Sequence, residues 1–405
     1  MVDITNYHNS DPAVRSRTTI VEETNYTITW ANLTGAGFAG DDEIVIIYQQ
    51  WLSDNTTTSE ATSEFKIGTT YGTATTKITN TVTGEDTTVG ISGRNVGGLW
   101  KHTLETNEQL FWSLGSDVGN GWSSNFSVII LKLGDLAADD YRWNEDATLT
   151  GDAPATPTAG ATVTLPPGGG DDWLHIGCTD WLIDALTNPS NSRLQDDSGA
   201  LNAIKFEGRS IDEQFSVISI GYTAAAAASE VVTTDYWDAG TNDAERAAIF
   251  SLRLEAFADH IGAHDQSGTH SLTVLDTAVT VETADLVLGT TGDVFFFAQA
   301  IADVSLATHV PYCRLTIDST EAITDLSNDG YRAADTTDEL PVQAIGRSSV
   351  TSGTKTYDLD CYEGNDVGTA NTIDRSTLVA FSAALAGGTS IPVFMNHYKQ
   401  QHGQN

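Results

Sequence analysis

The sequence predicts an all-β chain of three tandem antiparallel β-sandwich domains, jelly-roll-like in character, and three observations predict it. Apolar runs of roughly five to nine residues alternate with clusters of Thr, Gly, Asp, Ser and Asn, the texture of short strands joined by turns. Helical periodicity is scarce across the 405 residues, a length that suits two to four domains at about 100 to 200 residues each. Three landmarks then recur in one order, three times, at steps of about 125 residues, which selects three copies of one unit.

The first landmark is a Gly-Asp turn leading into an apolar strand: Gly40-Asp41-Asp42 before Ile44 to Tyr48, Gly170-Asp171-Asp172 before Trp173 to Ile176, and Gly292-Asp293 before Val294 to Phe297. Glycine admits positive φ and aspartate bonds the backbone that follows, so each pair suits the entry to a strand. The second landmark is Gly-Arg followed by Ser or Asn, at Arg94, Arg209 and Arg347. In so acidic a chain a repeated arginine reads as structural, its planar fork bridging to an acidic loop within each sandwich; a contact between subunits is the functional alternative. The third is a long closing strand, Phe126 to Leu133, Ile249 to Phe257 and Leu378 to Leu385. In the second copy Phe250, Leu252 and Leu254 alternate with Ser251, Arg253 and Glu255, which predicts one buried and one wet face.

These landmarks order the chain as an N-terminal arm (1–17), three sandwiches (18–136, 137–261 and 262–386) and a C-terminal tail (387–405). Segments rich in Ala, Pro, Thr, Gly and Asp, Gly151 to Gly160 and Gly262 to Gly268, read as connections. Each unit opens on an extended, β-branched stretch: Thr18 to Trp30, Ala161 to Leu165 and Ser271 to Leu288. One short helix is expected over Asp180 to Leu186, capped by Asp180, and the Ala224 to Ala228 run is a second helical stretch in a Thr-rich strand context.

A formal charge of −36, from 55 acidic and 19 basic residues, repels nucleic acid and sets that partner class aside. The acidity is dispersed, as on a solvated surface, and 40% hydrophobic residues with nine tryptophans supply core material, which excludes a disordered polyanion. The start, Met1 to Asn6, has neither a basic region nor an apolar stretch, and no run of about 18 apolar residues occurs, so neither a signal peptide nor a membrane span is expected.

Candidate chemistry is sparse. His260 and His264 stand four apart with His270 following, but they lie in a Gly-containing connection with no His-Glu-x-x-His pattern, so no metal and no cofactor is expected. His175 and Cys178 alternate with Trp173, Leu174 and Ile176, which makes Cys178 a small buried hydrophobe. Cys313 and Cys361 could meet across a sheet, yet with Cys178 left over all three cysteines read as free thiols. Carboxylate pairs are too frequent to indicate glycoside hydrolysis, and no Gly-x-Ser-x-Gly elbow, Walker loop or dinucleotide fingerprint occurs. No catalytic residue is assigned and the chain does not read as an enzyme. Trp30, Trp51, Trp100, Trp112 and Trp122 serve core packing, with stacking on sugar rings as the alternative. The sequons at Asn25, Asn32, Asn55 and Asn125 are incidental in a chain so rich in Asn and Thr. Arg15 and Arg17 in the arm, and Val393, Phe394, Met395 and Tyr398 in an apolar tail, have the composition of docking segments and are candidate assembly contacts.

The whole chain, with its Thr/Asp/Gly-rich tandem sandwiches, few Lys and Cys, and closing strands such as Ser127-Val128-Ile129-Ile130-Leu131-Lys132-Leu133, resembles virion structural proteins of tailed bacteriophages and related prokaryotic viruses, nearest to capsid decoration and fibre proteins. The resemblance implies assembly in the host cytoplasm onto a virion surface, with a major capsid protein or further copies of the chain as partners. It carries no catalytic or binding residue. The alternatives are an extracellular adhesin or carbohydrate-binding module, and a self-assembling extracellular fibre subunit.

Overall fold

The computed structural model describes residues 6–11, 15–54, 60–83, 93–116, 121–149, 152–184, 189–206, 212–238, 240–265, 269–272, 277–303, 311–326, 339–363 and 371–386. The first unit holds β1 (Asn6–Asp11) with β2 (Arg15–Arg17), β3 (Val21–Ile28), α1 (Trp30–Gly35), β4 (Glu43–Asp54), β5 (Glu60–Gly68), β6 (Thr75–Thr83), β7 (Gly93–Thr103), β8 (Gln109–Ser116) and β9 (Gly121–Lys132). The second holds β10 (Tyr141–Asp146), β11 (Thr158–Thr164), β12 (Trp173–Ile183), β13 (Ser190–Asp196), β14 (Gly199–Phe206), β15 (Glu213–Thr223), β16 (Val231–Asp238) and β17 (Asp243–Arg253). The third holds β18 (His260–Asp265) with β19 (His270–Leu272), β20 (Val279–Leu288), β21 (Gly292–Asp303), β22 (Pro311–Ile317), β23 (Thr320–Leu326), β24 (Glu339–Val350), β25 (Gly353–Glu363) and β26 (Asn371–Ser382).

Counting β1 with β2, and β18 with β19, as one strand each, every unit repeats one pairing scheme. An inner sheet runs first-eighth-third-sixth, as in β10-β17-β12-β15, and an outer sheet runs second-seventh-fourth-fifth, as in β11-β16-β13-β14. Two antiparallel four-stranded sheets in this order make a jelly roll. The outer sheet of the second unit runs on into the inner sheet of the third through one pair, Lys205 opposite Glu339.

Two landmarks fall on matching strands: the Gly-Asp turns lead into the third strands β4, β12 and β21, and the closing strands are the eighth strands β9, β17 and β26. The opening stretches are the second strands, not the first. The first strands lie where the sequence offers an arm and a connection: β1 and β2 pair with β9, and β18 pairs with β26. Their polar composition hid them, because each is an edge strand joined to a single neighbour.

The helix expected over Asp180 to Leu186 is instead the end of β12, described as strand through Ile183. Trp181 and Ile183 are buried there and paired with Phe215 and Glu213, and sheet packing overrides local propensity. Ala224 to Ala228 form turns. The described α-helix, α1, begins at Trp30, where extended chain was expected. Thr29 caps it by accepting from the Asn32 N–H, Asn32 Oδ1 accepts in return from the Thr29 N–H, and Leu33 buries its apolar side.

Inner strands are apolar on both faces because both are buried. In β4, Ile44, Ile46 and Tyr48 fill the first unit's own core, while Val45 and Ile47 point the other way into a second cluster. That second cluster joins Leu99, Ile129 and Leu131 of the first unit to Leu174, Ile176 and Phe250 of the second and Phe295, Phe297 and Phe381 of the third. Strands buried on two sides read as continuous apolar runs, which is why the landmark strands stood out. The closing strand β17 corrects the expectation of a wet face: Ser251 is as buried as Phe250 and Leu252. Cys313 and Cys361 correct another, since they stand opposite each other on β22 and β25 and form a disulfide; Cys178 alone is a free, buried thiol.

Candidate functional site

The sixth strand ends the inner sheets of the first and second units, and in the third it is joined outward only through the Lys205–Glu339 pair; an edge so exposed presents backbone groups that must find partners when buried. Here the neighbouring unit supplies them. On β7 of the first unit, the Leu99 carbonyl accepts from Arg246 of the second. On β15 of the second unit, the Ile218 carbonyl accepts from Gln299 and Gln343 of the third, and the Ile220 N–H donates 2.9 Å to Gln299 Oε1. On β24 of the third unit, the Ile345 carbonyl accepts from Ser127 Oγ of the first at 2.8 Å, and the Pro341 carbonyl from Asn95 Nδ2 at 3.4 Å. Each unit caps the edge of the one before it, and the third is capped by the first. The three jelly rolls therefore close a ring, the heterologous arrangement of a cyclic trimer made within one chain.

Polar side chains hold the joint between the first and second units. Arg246, 5% exposed, lies 3.5 Å over the Trp100 ring and pairs with Asp180 at 3.1 Å and Glu145 at 2.6 Å. Asn80 donates to the Tyr48 hydroxyl at 3.2 Å and accepts from the Ser216 N–H at 2.9 Å. Burial pushes the Cys178 thiol well above its usual range, and the Asp180 carboxylate adds to the rise, so the thiol stays protonated and inert.

The repeated arginines do not occupy equivalent positions. Arg94 stands at the start of β7 opposite Leu52, whereas Arg347 stands near the end of β24 opposite Phe295; Arg209 lies outside the described residues. Arg94 lies 4.4 Å over the Phe215 ring and 3.6 Å from Glu213, both in the second unit, so it reaches across to a neighbouring sandwich. Arg347 pairs with Asp293 at 3.4 Å within its own sandwich. Gly-Arg is too short a signal to separate these two uses. Arg15 and Arg17 pair with Glu23 at 3.6 and 2.5 Å, so the first unit itself engages them. Val393, Phe394, Met395 and Tyr398 lie outside the described residues.

Inside the second unit, Ser251 Oγ is 2.8 Å from His175 Nδ1, His175 Nε2 is 3.1 Å from Thr223 Oγ1, and Thr223 donates to Asp196 at 2.7 Å. The order copies a nucleophile, base and orienting acid, but Ser251 and His175 are both 0% exposed and no substrate can reach the serine. Burial lowers the His175 pKa to about 3, with Asp196 opposing, so the imidazole is neutral. The chain of hydrogen bonds satisfies polar groups within a small core. Its Asp196 end opens on a cleft of about 280 Å³ lined by Ser198, Tyr222, Thr223, Glu230 and His264, between the second and third units. Glu230 is raised by burial and by the neighbouring Asp196, while hydrogen bonds from Ser198 and Thr223 outweigh burial and lower Asp196.

His260 and His264 share a strand, not a helix, and at about 3.3 Å per residue they stand ~13 Å apart, too far to share an ion. Among the described residues no helix is long and apolar enough to cross a membrane.

No protein-family model matches the chain, and no curated protein matches it either. Solved structures similar to it include the tandem CBM22-1–CBM22-2 domains of Paenibacillus barcinonensis Xyn10C, at 10% identity and a TM-score of 0.19, over 60% of this chain and 93% of that one. The VP2 subviral particle of infectious bursal disease virus matches at 8% identity and a TM-score of 0.22, over 96% of this chain and 87% of that one. Sulfolobus Turreted Icosahedral Virus matches at 9% identity and a TM-score of 0.20, over 85% and 81%. The neighbours thus include viral capsid proteins and carbohydrate-binding modules, and at such TM-scores neither likeness bears on what this chain does.

Proposed function

We propose that the chain is a non-enzymatic structural protein of a virus particle, decorating or stabilising a capsid or forming part of a fibre through protein-protein contacts. The observation that carries this reading is the closed ring of three jelly rolls. A ring buries both faces of the central inner-sheet strands and leaves the outer sheets as its working surface, which suits a building block with three similar lobes better than a catalyst with one exposed centre. The disulfide between Cys313 and Cys361 supports a working life outside a reducing cytosol. Its partners in this reading are a major capsid protein or further copies of itself, engaged in part by the tail.

Electron microscopy of the native source material, together with particle binding by a variant lacking residues 391–405, tests the reading. The expected outcome is density for the three-lobed block on particles, and a shortened chain that folds but no longer binds them. A chain found only free of particles, or a shortened chain whose third unit unfolds, overturns the role assigned here. The cleft favours a second reading, glycan binding, because the Tyr222 and His264 rings lie 5.6 Å apart beside the Asp196, Thr223 and Glu230 oxygens. A glycan array on the full chain, with Tyr222→Ala as control, separates the two.

A further inference from the structure

The joint between the second and third units contains three groups that the ring does not use. Asp172 precedes β12, Glu255 follows β17, and His260 begins β18; each offers one ligand atom, and these atoms all lie within 4.8 Å of one another. The backbone fixes two of them: the Leu254 N–H donates to the Asp172 carbonyl at 2.8 Å, and the Asp172 N–H donates to Glu255 Oε1 at 2.8 Å. The Asp172 carboxylate is then oriented from behind, accepting from the Tyr222 hydroxyl at 2.8 Å and from the Ala225 N–H at 2.9 Å. Groups that aim a carboxylate in this way are the usual support of a metal ligand.

Two details point to an ion and not to a simple ion pair. His260 Nε2 stands 3.7 Å from Glu255 Oε1, too long for a hydrogen bond and close to the ~3.4 Å between two ligands on a tetrahedral zinc ion with bonds near 2.1 Å. Glu255 Oε2 is shut off from solvent yet has no hydrogen-bond partner, an expensive state for a carboxylate oxygen. We propose that Asp172, Glu255 and His260 bind one divalent cation of the zinc type, which ties the third unit to the second. Two carboxylates and an imidazole favour such an ion over calcium, which takes six to eight oxygens. Glu255 and His260 are 33% and 23% exposed, so an ion can enter and water can complete its coordination.

The test uses the full chain, stripped with a chelator and titrated calorimetrically with zinc ion alone. One equivalent is expected to bind and to raise the Tm. Glu255→Gln, which keeps the side chain's shape, and His260→Ala should each bind at least 10-fold more weakly and lose that rise. His264→Ala, on the same strand, should bind as the wild type does. Circular dichroism of the metal-free variants confirms that they fold. Absence of stoichiometric binding to the wild type overturns the proposal, as does binding unchanged in folded Glu255→Gln or lost equally in His264→Ala.

Discussion

His175 carries a consequence for acid stability. The unfolded chain takes up a proton on this histidine near 6.5, whereas the folded chain resists it until about 3, because the imidazole is buried between Ser251 and Thr223. A depressed histidine leaves stability untouched above 6.5 and removes it as the pH falls from 6.5 towards 3, at up to about 1.4 kcal/mol per pH unit. Glu282 acts in the opposite sense: burial raises it to about 7, so its contribution weakens as the pH rises from 4.5 to 7. His175→Gln is expected to lower stability at pH 7 by about 1 to 3 kcal/mol through lost hydrogen bonds, yet to flatten the loss between pH 6 and 4. Thermal melts across that range check it, and an acid limb as steep as that of the wild type would count against the account. The histidine was visible in the sequence, but its partners were not, since Thr223 and Ser251 lie 48 and 76 residues away.

At the scale of the element, β15 shows how an edge strand is made safe. Gln299 and Gln343 bring side-chain amides from the third unit to the Ile218 carbonyl, and Gln299 also accepts from the Ile220 N–H. Gln299→Leu removes these bonds without opening a void and leaves the buried Ile220 N–H without its side-chain acceptor, while Gln343 still serves the Ile218 carbonyl. A loss of about 2 to 4 kcal/mol is expected in denaturant melts, whereas Gln109→Leu, whose amide donates to an exposed Thr69 carbonyl, should change stability by less than about 0.5 kcal/mol. Strand legibility followed the same division. Third strands such as β4 and the eighth strand β9 were readable because two buried faces leave long apolar runs, whereas β17 was read from its alternation of Phe250 and Leu252 with Ser251. First strands such as His260–Asp265 were not, because an edge strand with intermediate burial is built from the residues of a connection. The Arg94 contact was half readable: the sequence announced a structural arginine, but its partners Glu213 and Phe215 belong to another unit.

For the whole molecule, the ring makes each jelly roll incomplete alone. Residues 6–136 expressed by themselves would present Val45, Ile47, Leu99, Ile129 and Leu131 to water, a contiguous apolar face that normally lies in the shared cluster. Size-exclusion chromatography should show this fragment associating or aggregating, and replacing Val45, Ile47 and Ile129 with Thr should return a monomer. A monodisperse unmodified fragment would mean that the inner sheets do not depend on one another. The sequence could count three units from recurring landmarks, but the closure of one against the next rests on isolated polar residues such as Ser127, Asn95 and Gln343, which no period marks.

The joint from Ser127 to Ile345 spans 218 residues of chain. A ribosome therefore completes the first two lobes well before it makes the strand that closes the ring, and during that interval sticky sheet surfaces have no lid. Contacts so distant along the chain form late, since loop-closure entropy must be met first. Synthesis of this protein thus includes a vulnerable period in which the growing chain competes between finishing its own circle and adhering to its neighbours.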